Sequence, residues 1–404
     1  MIKVNNEFIE TEFGYIPKKW KVFQLEDVVK SIIDYRGKTP KKTLRGVPLV
    51  TAKIVKNGRI DFTNLEYIAE DDFESWMTRG IPQAGDVVLT TEAPLGEVAQ
   101  LPNFKIALAQ RIITLSGKDG LLDNSYLKYY LGSDVGAGQL RSKESGSVVT
   151  GIKQSELRKI NIVTPPISEQ KQIVEILSSL DDKIELNRKI NANLEKMVYA
   201  LFKKMFVDTN DSTINKSVSL IEIIDVLSGG TPKTDKSSYW GTDISFFTPK
   251  DAHDSVYVFD TEKMLTNEGL YNCNSPLYPI NTTFITARGT VGKVAMGGYP
   301  MAMNQSCYAL KGKDGIGPFF VYELTKMIAQ ELREKGHGSV FETITVATFS
   351  QINIALPPIR SVLQFEENVV PFFDAIRANS QENHKLGLVR DLIMPRLLSG
   401  HIKT

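Results

Sequence analysis

Between Asp34 and Arg59 the chain carries eight basic side chains: Arg36, Lys38, Lys41, Lys42, Arg45, Lys53, Lys56 and Arg59. Asp34 is the single acid among them, so 26 residues hold a local charge of +7. A second basic group is looser. Lys233, Lys236 and Lys250 surround Tyr239-Trp240, and Arg288, Lys293, Lys311 and Lys313 follow with no acid until Asp314. Cationic loops containing Gly, Thr and aromatic residues suit phosphate contacts, with further donors free to read base edges. One such run is ordinarily a solvated surface face. Two of them, each soon after a Thr-Pro pair (Thr39-Pro40 and Thr231-Pro232), favour binding to nucleic acid.

Catalytic chemistry is poorly supported. His253, His337, His384 and His401 have no metal-ligand spacing, and Cys273 and Cys307 are too few for a tetrahedral zinc site or a disulfide framework. Gly289-Thr290-Val291-Gly292-Lys293 lacks the glycine spacing and the final Ser/Thr of a phosphate loop, so it reads as a turn with a basic tip. The Pro-Pro pairs follow Thr164 and Leu356 and do not supply the Asn/Asp-Pro-Pro-aromatic motif of adenine methyltransferases. Asp181-Asp182-Lys183 reads as a solvated helix face.

The whole chain carries almost no net charge, +1 from 48 Lys+Arg and 47 Asp+Glu, so the basic loops must be balanced nearby. Asp61, Glu66, Glu70, Asp71, Asp72, Glu74 and Asp86 follow the first one. At 404 residues, with 42% hydrophobic and 24% charged, two or three core-forming domains are expected. No apolar run approaches the roughly 20 residues of a membrane span, and Met1 to Glu7 lacks a signal-peptide core, so a cytoplasmic protein without a membrane partner is expected.

A long internal repeat must position these loops. Ile160-Asn161-Ile162 with Pro165-Pro166-Ile167 returns as Ile352-Asn353-Ile354 with Pro357-Pro358-Ile359, a shift of 192 residues. The same shift relates the two Thr-Pro pairs and carries Gly146-Ser147 to Gly338-Ser339; Gly96 corresponds to Gly292 and Gln110 to Gln305. A unit of this length is a duplicated domain with its connector. Each copy opens with short β-type runs, Asp86 to Thr90 and Thr283 to Thr286, and helical stretches at Ser125 to Leu131 and Pro318 to Leu332. Each then meets a Pro-Pro pair that cannot lie inside a helix. A long helical pattern follows, with Ser168 expected as N-cap.

Ile173, Leu177, Leu180, Ile184, Asn187, Asn191, Leu194, Val198, Leu201 and Met205 are spaced 4, 3, 4, 3, the seam of a left-handed coiled coil. Adding 192 gives Phe365, Val369, Phe372, Ile376, Asn379, Asn383, Leu386, Arg390, Ile393 and Leu397. Asparagine in a seam needs a polar partner and thereby fixes register. Antiparallel packing about the centre sets Asn187 against Asn383 and Asn191 against Asn379. It also leaves Arg390 facing Leu180, where it is expected to snorkel or to meet a partner protein. A helix from Ile167 to Phe206 spans roughly 60 Å at 1.5 Å per residue, or roughly 18 base pairs of DNA.

Gly14-Tyr15-Ile16-Pro17-Lys18-Lys19-Trp20 followed by Leu25-Glu26-Asp27 resembles the start of a specificity subunit of a type I restriction–modification enzyme. The connector Pro165 to Val174 is similar to that family's repeated region, and Leu356 to Ile359 with Leu392 to Gly400 resembles its C-terminal copy. Arg360-Ser361-Val362-Leu363-Gln364 departs from the Ser-Glu-Gln-Lys-Gln of the first connector.

The resemblance implies an α+β chain: two mixed α/β target-recognition domains separated by a long antiparallel intramolecular coiled coil, related by a pseudo-two-fold duplication. Residues 1–165 are then the first recognition domain, 166–208 the first helix, 209–357 the second domain, and 358–404 the second helix and tail. Each domain is implied to read one half of a bipartite double-stranded DNA target. Candidate DNA contacts are Arg36, Lys38, Thr39, Lys41, Lys42, Arg45, Lys53, Lys56 and Arg59, then Lys233, Lys236, Tyr239, Lys250, Arg288 and Lys293. Two modification (methyltransferase) subunits and the restriction (translocase) subunits are the implied partners, holding S-adenosylmethionine, ATP and Mg; no cofactor or metal and no catalytic residue is expected in this chain. A stand-alone DNA-modifying enzyme would need a Gly-rich cofactor loop, and a coiled-coil scaffold binding only proteins leaves the basic loops unexplained.

Overall fold

The computed structural model describes residues 7–145, 150–208, 217–253, 255–335, 343–356 and 358–402, with backbone alone for 331–335. Residues 1–6, Gly146-Ser147, Gly338-Ser339, His337 and Pro357 lie outside the described residues. The chain divides into two compact units, Met1–Asp181 with Gly387–Thr404, and Asp182–Leu386.

The first unit is built on an antiparallel sheet in the order Leu95–Gln100, Val87–Thr91, Ile112–Gly117, Val29–Asp34. Strand periodicity sends successive side chains to opposite faces. Val87 and Leu89 join the core that contains Tyr126, Leu127 and Tyr130 of the helix Asn124–Gly132, whereas Val88 joins the core under a second sheet. With apolar partners on both sides, all five residues of Val87–Thr91 are buried. The second sheet runs Ala107–Leu108, Val47–Val50, Glu66–Ile68, Lys42–Thr43, and its first pair is parallel.

The second unit repeats this plan. Val294–Gly297, Thr283–Thr286, Cys307–Gly312 and Ile224–Ser228 are neighbours in the same order, with Tyr257–Val258 added at the edge. Phe284 and Ile285 face different cores, as Val88 and Leu89 do. The smaller sheet runs Lys263–Leu265, Trp240–Phe247, Met301–Met303, again with one parallel pair. In each unit a short ribbon joins the beginning of the fold to its end: Lys21–Gln24 pairs antiparallel with Asn161–Thr164, and Ser217–Ser219 with Asn353–Ala355.

Two long helices leave these ribbons, Ile167–Phe202 and Ile359–Leu398. Their 36 and 40 residues correspond to roughly 54 and 60 Å. Ser168 is not the N-cap: the helix begins one residue earlier, and the Pro166 carbonyl accepts from the Gln170 amide at 3.0 Å.

Within the first unit, Ile173 and Leu177 share one core with Leu397 and Leu398. Arg390 does not snorkel. Its guanidinium donates to Asp181 Oδ1 at 2.8 Å, and the Tyr129 hydroxyl donates to Oδ2 at 2.7 Å. Asp181 is therefore part of a polar network and not a solvated acid. Burial would raise its pKa, but Arg390, Tyr129 and Lys128 outweigh that and hold the carboxyl below its ordinary range.

Within the second unit the helices also run antiparallel. Asn187 Nδ2 donates to Asn383 Oδ1 at 2.9 Å and to Glu382 at 2.7 Å, and Asn379 Nδ2 donates to Asn191 Oδ1 at 2.8 Å. Ile184, Val198, Phe365, Val369 and Ile376 are buried around these pairs. The heptad misses one contact: Phe373, not the seam residue Phe372, is fully buried, because its ring stacks on Phe319 of the helix Pro318–Lys335 at 4.2 Å. The second long helix therefore serves two partners, the first long helix and its own recognition domain.

Candidate nucleic-acid interface

One hydrogen-bonded frame recurs in both units, where loops meet at one end of the main sheet. Thr90 Oγ1 donates to the Pro94 carbonyl at 2.7 Å and accepts from the Glu97 amide at 3.0 Å. Thr286 Oγ1 does the same with the Thr290 carbonyl and the Lys293 amide. The following residue bonds across the sheet, Thr91 to the Arg111 carbonyl at 2.9 Å and Ala287 to the Ser306 carbonyl at 2.8 Å. Its own carbonyl accepts from Ile152 in the first unit and Ile344 in the second. The repeated Thr-Pro and Gln signals also meet here. Gln110 Nε2 donates to Thr39 Oγ1 at 3.2 Å, and Thr231 Oγ1 donates to Gln305 Oε1 at 2.5 Å.

The predicted basic residues have different fates on this frame. Arg36 is an anchor: it donates to the Ile152 carbonyl at 2.6 Å, while Arg79 braces the same loop through the carbonyls of Asp34 and Arg36. Lys42 pairs with Glu66 at 2.8 Å and Lys56 with Asp61 at 3.2 Å, so the acids that balance the net charge neutralise these two locally. Thr63 bonds and Lys56 bring the Asp61 carboxyl down to about 2. Lys38, Lys41, Arg45 and Lys53 are exposed and form no ion pair with a described residue. Arg59 is exposed on the hairpin with Lys56, whose tip at Asn57 donates to Glu97 at 2.7 Å.

In the second unit Lys233 and Arg288 are exposed, and Lys250 pairs with Glu262 at 3.0 Å. Tyr239 is not a surface aromatic. It is 7% exposed, with the Lys236 ammonium 4.2 Å above its ring. Lys236 also pairs with Glu268 at 3.0 Å, and the Tyr239 hydroxyl and Glu268 together raise its pKa. Lys293 lines a cleft of about 510 Å³ with Glu195, Lys196, His253 and Lys326, where it faces the long helix side of its unit. Glu97 occupies the equivalent position of the shared turn in the first unit, so the same backbone carries opposite charge in the two copies.

Gln110 and Gln305 were visible as repeat residues, and only the fold places them beside Thr39 and Thr231. Arg111 gave no signal; it holds a φ of +70° and pairs with Glu92 at 3.0 Å. Among the described residues no three His, Cys, Asp or Glu side chains form a metal-binding group, and no helix is long and apolar enough to cross a membrane. The site can therefore bind an anion along its exposed lysines and arginines and offer Thr, Gln and Asn donors beside them.

Comparison with known proteins gives the same picture. Residues 17–196 and 215–384 each match the family described as "Type I restriction modification DNA specificity domain", one match per copy of the repeat. The type I restriction enzyme MjaIX specificity subunit of Methanocaldococcus jannaschii is 25% identical over 98% of this chain and 96% of its own length. The HindI specificity subunit of Haemophilus influenzae is 23% identical over 74% of this chain and 79% of its own. The fold is shared with the crystal structure of a type I restriction–modification S subunit from M. genitalium, at a TM-score of 0.57, 15% identity and 98% coverage of both chains. With both copies of its repeat matched, the chain belongs to the type I restriction–modification DNA specificity family.

Proposed function

We propose that this chain is the DNA-recognition subunit of a type I restriction–modification complex and that each unit reads one half of a bipartite, asymmetric double-stranded DNA target. The observation that carries this reading is the repeated frame with unequal contents. The Thr90 and Thr286 turns superpose in their bonding, yet one ends on Glu97 and the other on Lys293. Two equal holders with different side chains suit two different half-sites.

The chain itself performs no chemistry in this proposal. Partner subunits supply S-adenosylmethionine for adenine methylation and ATP with Mg for translocation and cleavage. The long helices set the gap between half-sites and dock two modification subunits. In the second unit Leu186, Ile190 and Met197 of one helix and Leu363 and Val370 of the other are exposed, and in the first unit Ile176, Leu388, Val389 and Leu392 are. Apolar positions left open beside a filled seam suit further helices.

Sequencing adenine methylation in host DNA with and without this gene tests the reading. A gapped, two-part motif that disappears with the gene is expected. A continuous motif, or methylation by the purified chain alone, rejects it.

A further inference from the structure

Two apolar side chains stand almost wholly in water. Among the described residues Leu44, at 98% exposure, and Tyr271, at 90%, are the most exposed large hydrophobics, well beyond Ile81 at 63%. Leu44 occupies the turn between Lys42–Thr43 and Val47–Val50, with Lys41, Lys42 and Arg45 beside it. The turn is held firmly. Thr43 Oγ1 donates to the Arg45 carbonyl at 2.9 Å, and Gly46 adopts a φ of +136° where a Cβ would lie 2.1 Å from the Ile68 carbonyl oxygen. Only glycine allows that approach, so the turn is drawn onto the sheet while its leucine stays outside.

Tyr271 ends the short helix Asn267–Tyr271, which packs through Gly269 against the Tyr239 carbonyl and is tied to the basic loop by Lys236–Glu268. Both residues therefore flank the segment that enters an equivalent strand of the smaller sheet, Val47–Val50 or Trp240–Phe247.

An apolar side chain cannot bond a phosphate. Placed beside cations that can, as Leu44 is beside Lys41 and Arg45, it is suited to the apolar features of a duplex, chiefly the thymine C5-methyl group in the major groove. We propose that Leu44 contacts a thymine methyl in the half-site read by the first unit, and that Tyr271 makes the matching apolar base contact in the other half-site. This rests on the DNA-recognition reading above.

The test uses the chain assembled with its modification subunits and a duplex carrying the motif found by methylation sequencing. Failure of the wild-type complex to bind that duplex over unrelated DNA would reject the recognition reading itself, whatever Leu44 does. Given wild-type binding, Leu44→Ala is expected to weaken it about tenfold and to relax one position of one half-site, with thermal stability unchanged. Tyr271→Ala is expected to relax the other half-site. Replacing thymine by deoxyuridine in the first half-site should reproduce the loss in the wild type and add nothing to Leu44→Ala. The proposal is overturned by an unchanged motif and affinity, by an equal loss on unrelated DNA, by a half-site without thymine, or by a Leu44→Ala chain that fails to assemble with the modification subunits.

Discussion

Asn187 and Asn383 share a hydrogen bond of 2.9 Å inside an otherwise apolar seam, and Asn379 returns one to Asn191 at 2.8 Å. An asparagine amide in a seam needs a polar partner, and only an antiparallel register in which residue numbers rise on one helix and fall on the other forms both pairs together, with Asn187 Oδ1 left without a partner among the described residues. A one-heptad slip would set amides against Ile184 or Ile376.

Asn187→Leu should accordingly destabilise the second unit by about 1–3 kcal/mol, because it strands the Asn383 side chain in the seam. Asn187→Leu with Asn383→Leu should recover most of that loss while weakening the choice of register. Urea melts of the two single variants and the double variant measure the coupling. Disulfide trapping then reads the register: cysteines at 187 and 383 should link in preference to those at 187 and 379.

Glu323 sets a pH dependence. It is buried, both carboxylate oxygens lack a partner among the described residues, and burial pushes its pKa up to about 7. The folded state then holds the proton more tightly than the unfolded state, whose carboxyl titrates near 4.3. Stability is greatest below that value and is lost as pH rises from there through 7, by about 4 kcal/mol in all. Glu366, whose Oε1 accepts from the Phe320 amide at 2.7 Å at the start of a helix, is also raised to about 7 by burial and adds in the same direction. Glu323→Leu, which removes the buried carboxyl, should stabilise the chain at pH 8 and flatten its melting temperature between pH 5 and 8.

Salt dependence separates the free cations from the paired ones. If Lys38, Lys41 and Arg45 each meet a phosphate, replacing all three by alanine should reduce the slope of log affinity against log salt by about 2.7. Lys42→Ala with Lys56→Ala should change it far less, because Glu66 and Asp61 already neutralise them. Equal changes in the two variants would argue that the internal ion pairs open on binding.

Helix length can be altered directly. Four residues inserted in both long helices, after Asp181 and after Leu386, add about 6 Å, close to two base pairs. Methylation sequencing should then show a longer gap between unchanged half-sites; an unaltered gap would remove the helices from the measurement.

Much of this architecture was legible in the residues, because a repeat and a heptad are statements about distance that survive folding. The asparagine pairs follow from a polar residue's need for a partner. What escaped were interactions between segments far apart in sequence. Arg36 looked like its lysine neighbours until Ile152 came within reach of its guanidinium, and Arg390 looked unpaired until Asp181, itself held by the Tyr129 hydroxyl, came beside it. Tyr239 carried the composition of a surface aromatic, but its ring is covered. Phe373 broke the heptad because a third helix, invisible to a two-helix pattern, competes for that face.

The ribbons that tie Lys21–Gln24 to Asn161–Thr164 and Ser217–Ser219 to Asn353–Ala355 have an evolutionary consequence. Each brings the entry and exit of a recognition fold to neighbouring strands, so everything between them is a cassette plugged into a fixed socket. Recombination within the ribbon-coding segments exchanges one cassette and leaves the other copy intact, provided the new cassette keeps its contacts to the helices, such as Tyr129 with Asp181 or Phe319 with Phe373, and a new target would then arise in a single genetic step.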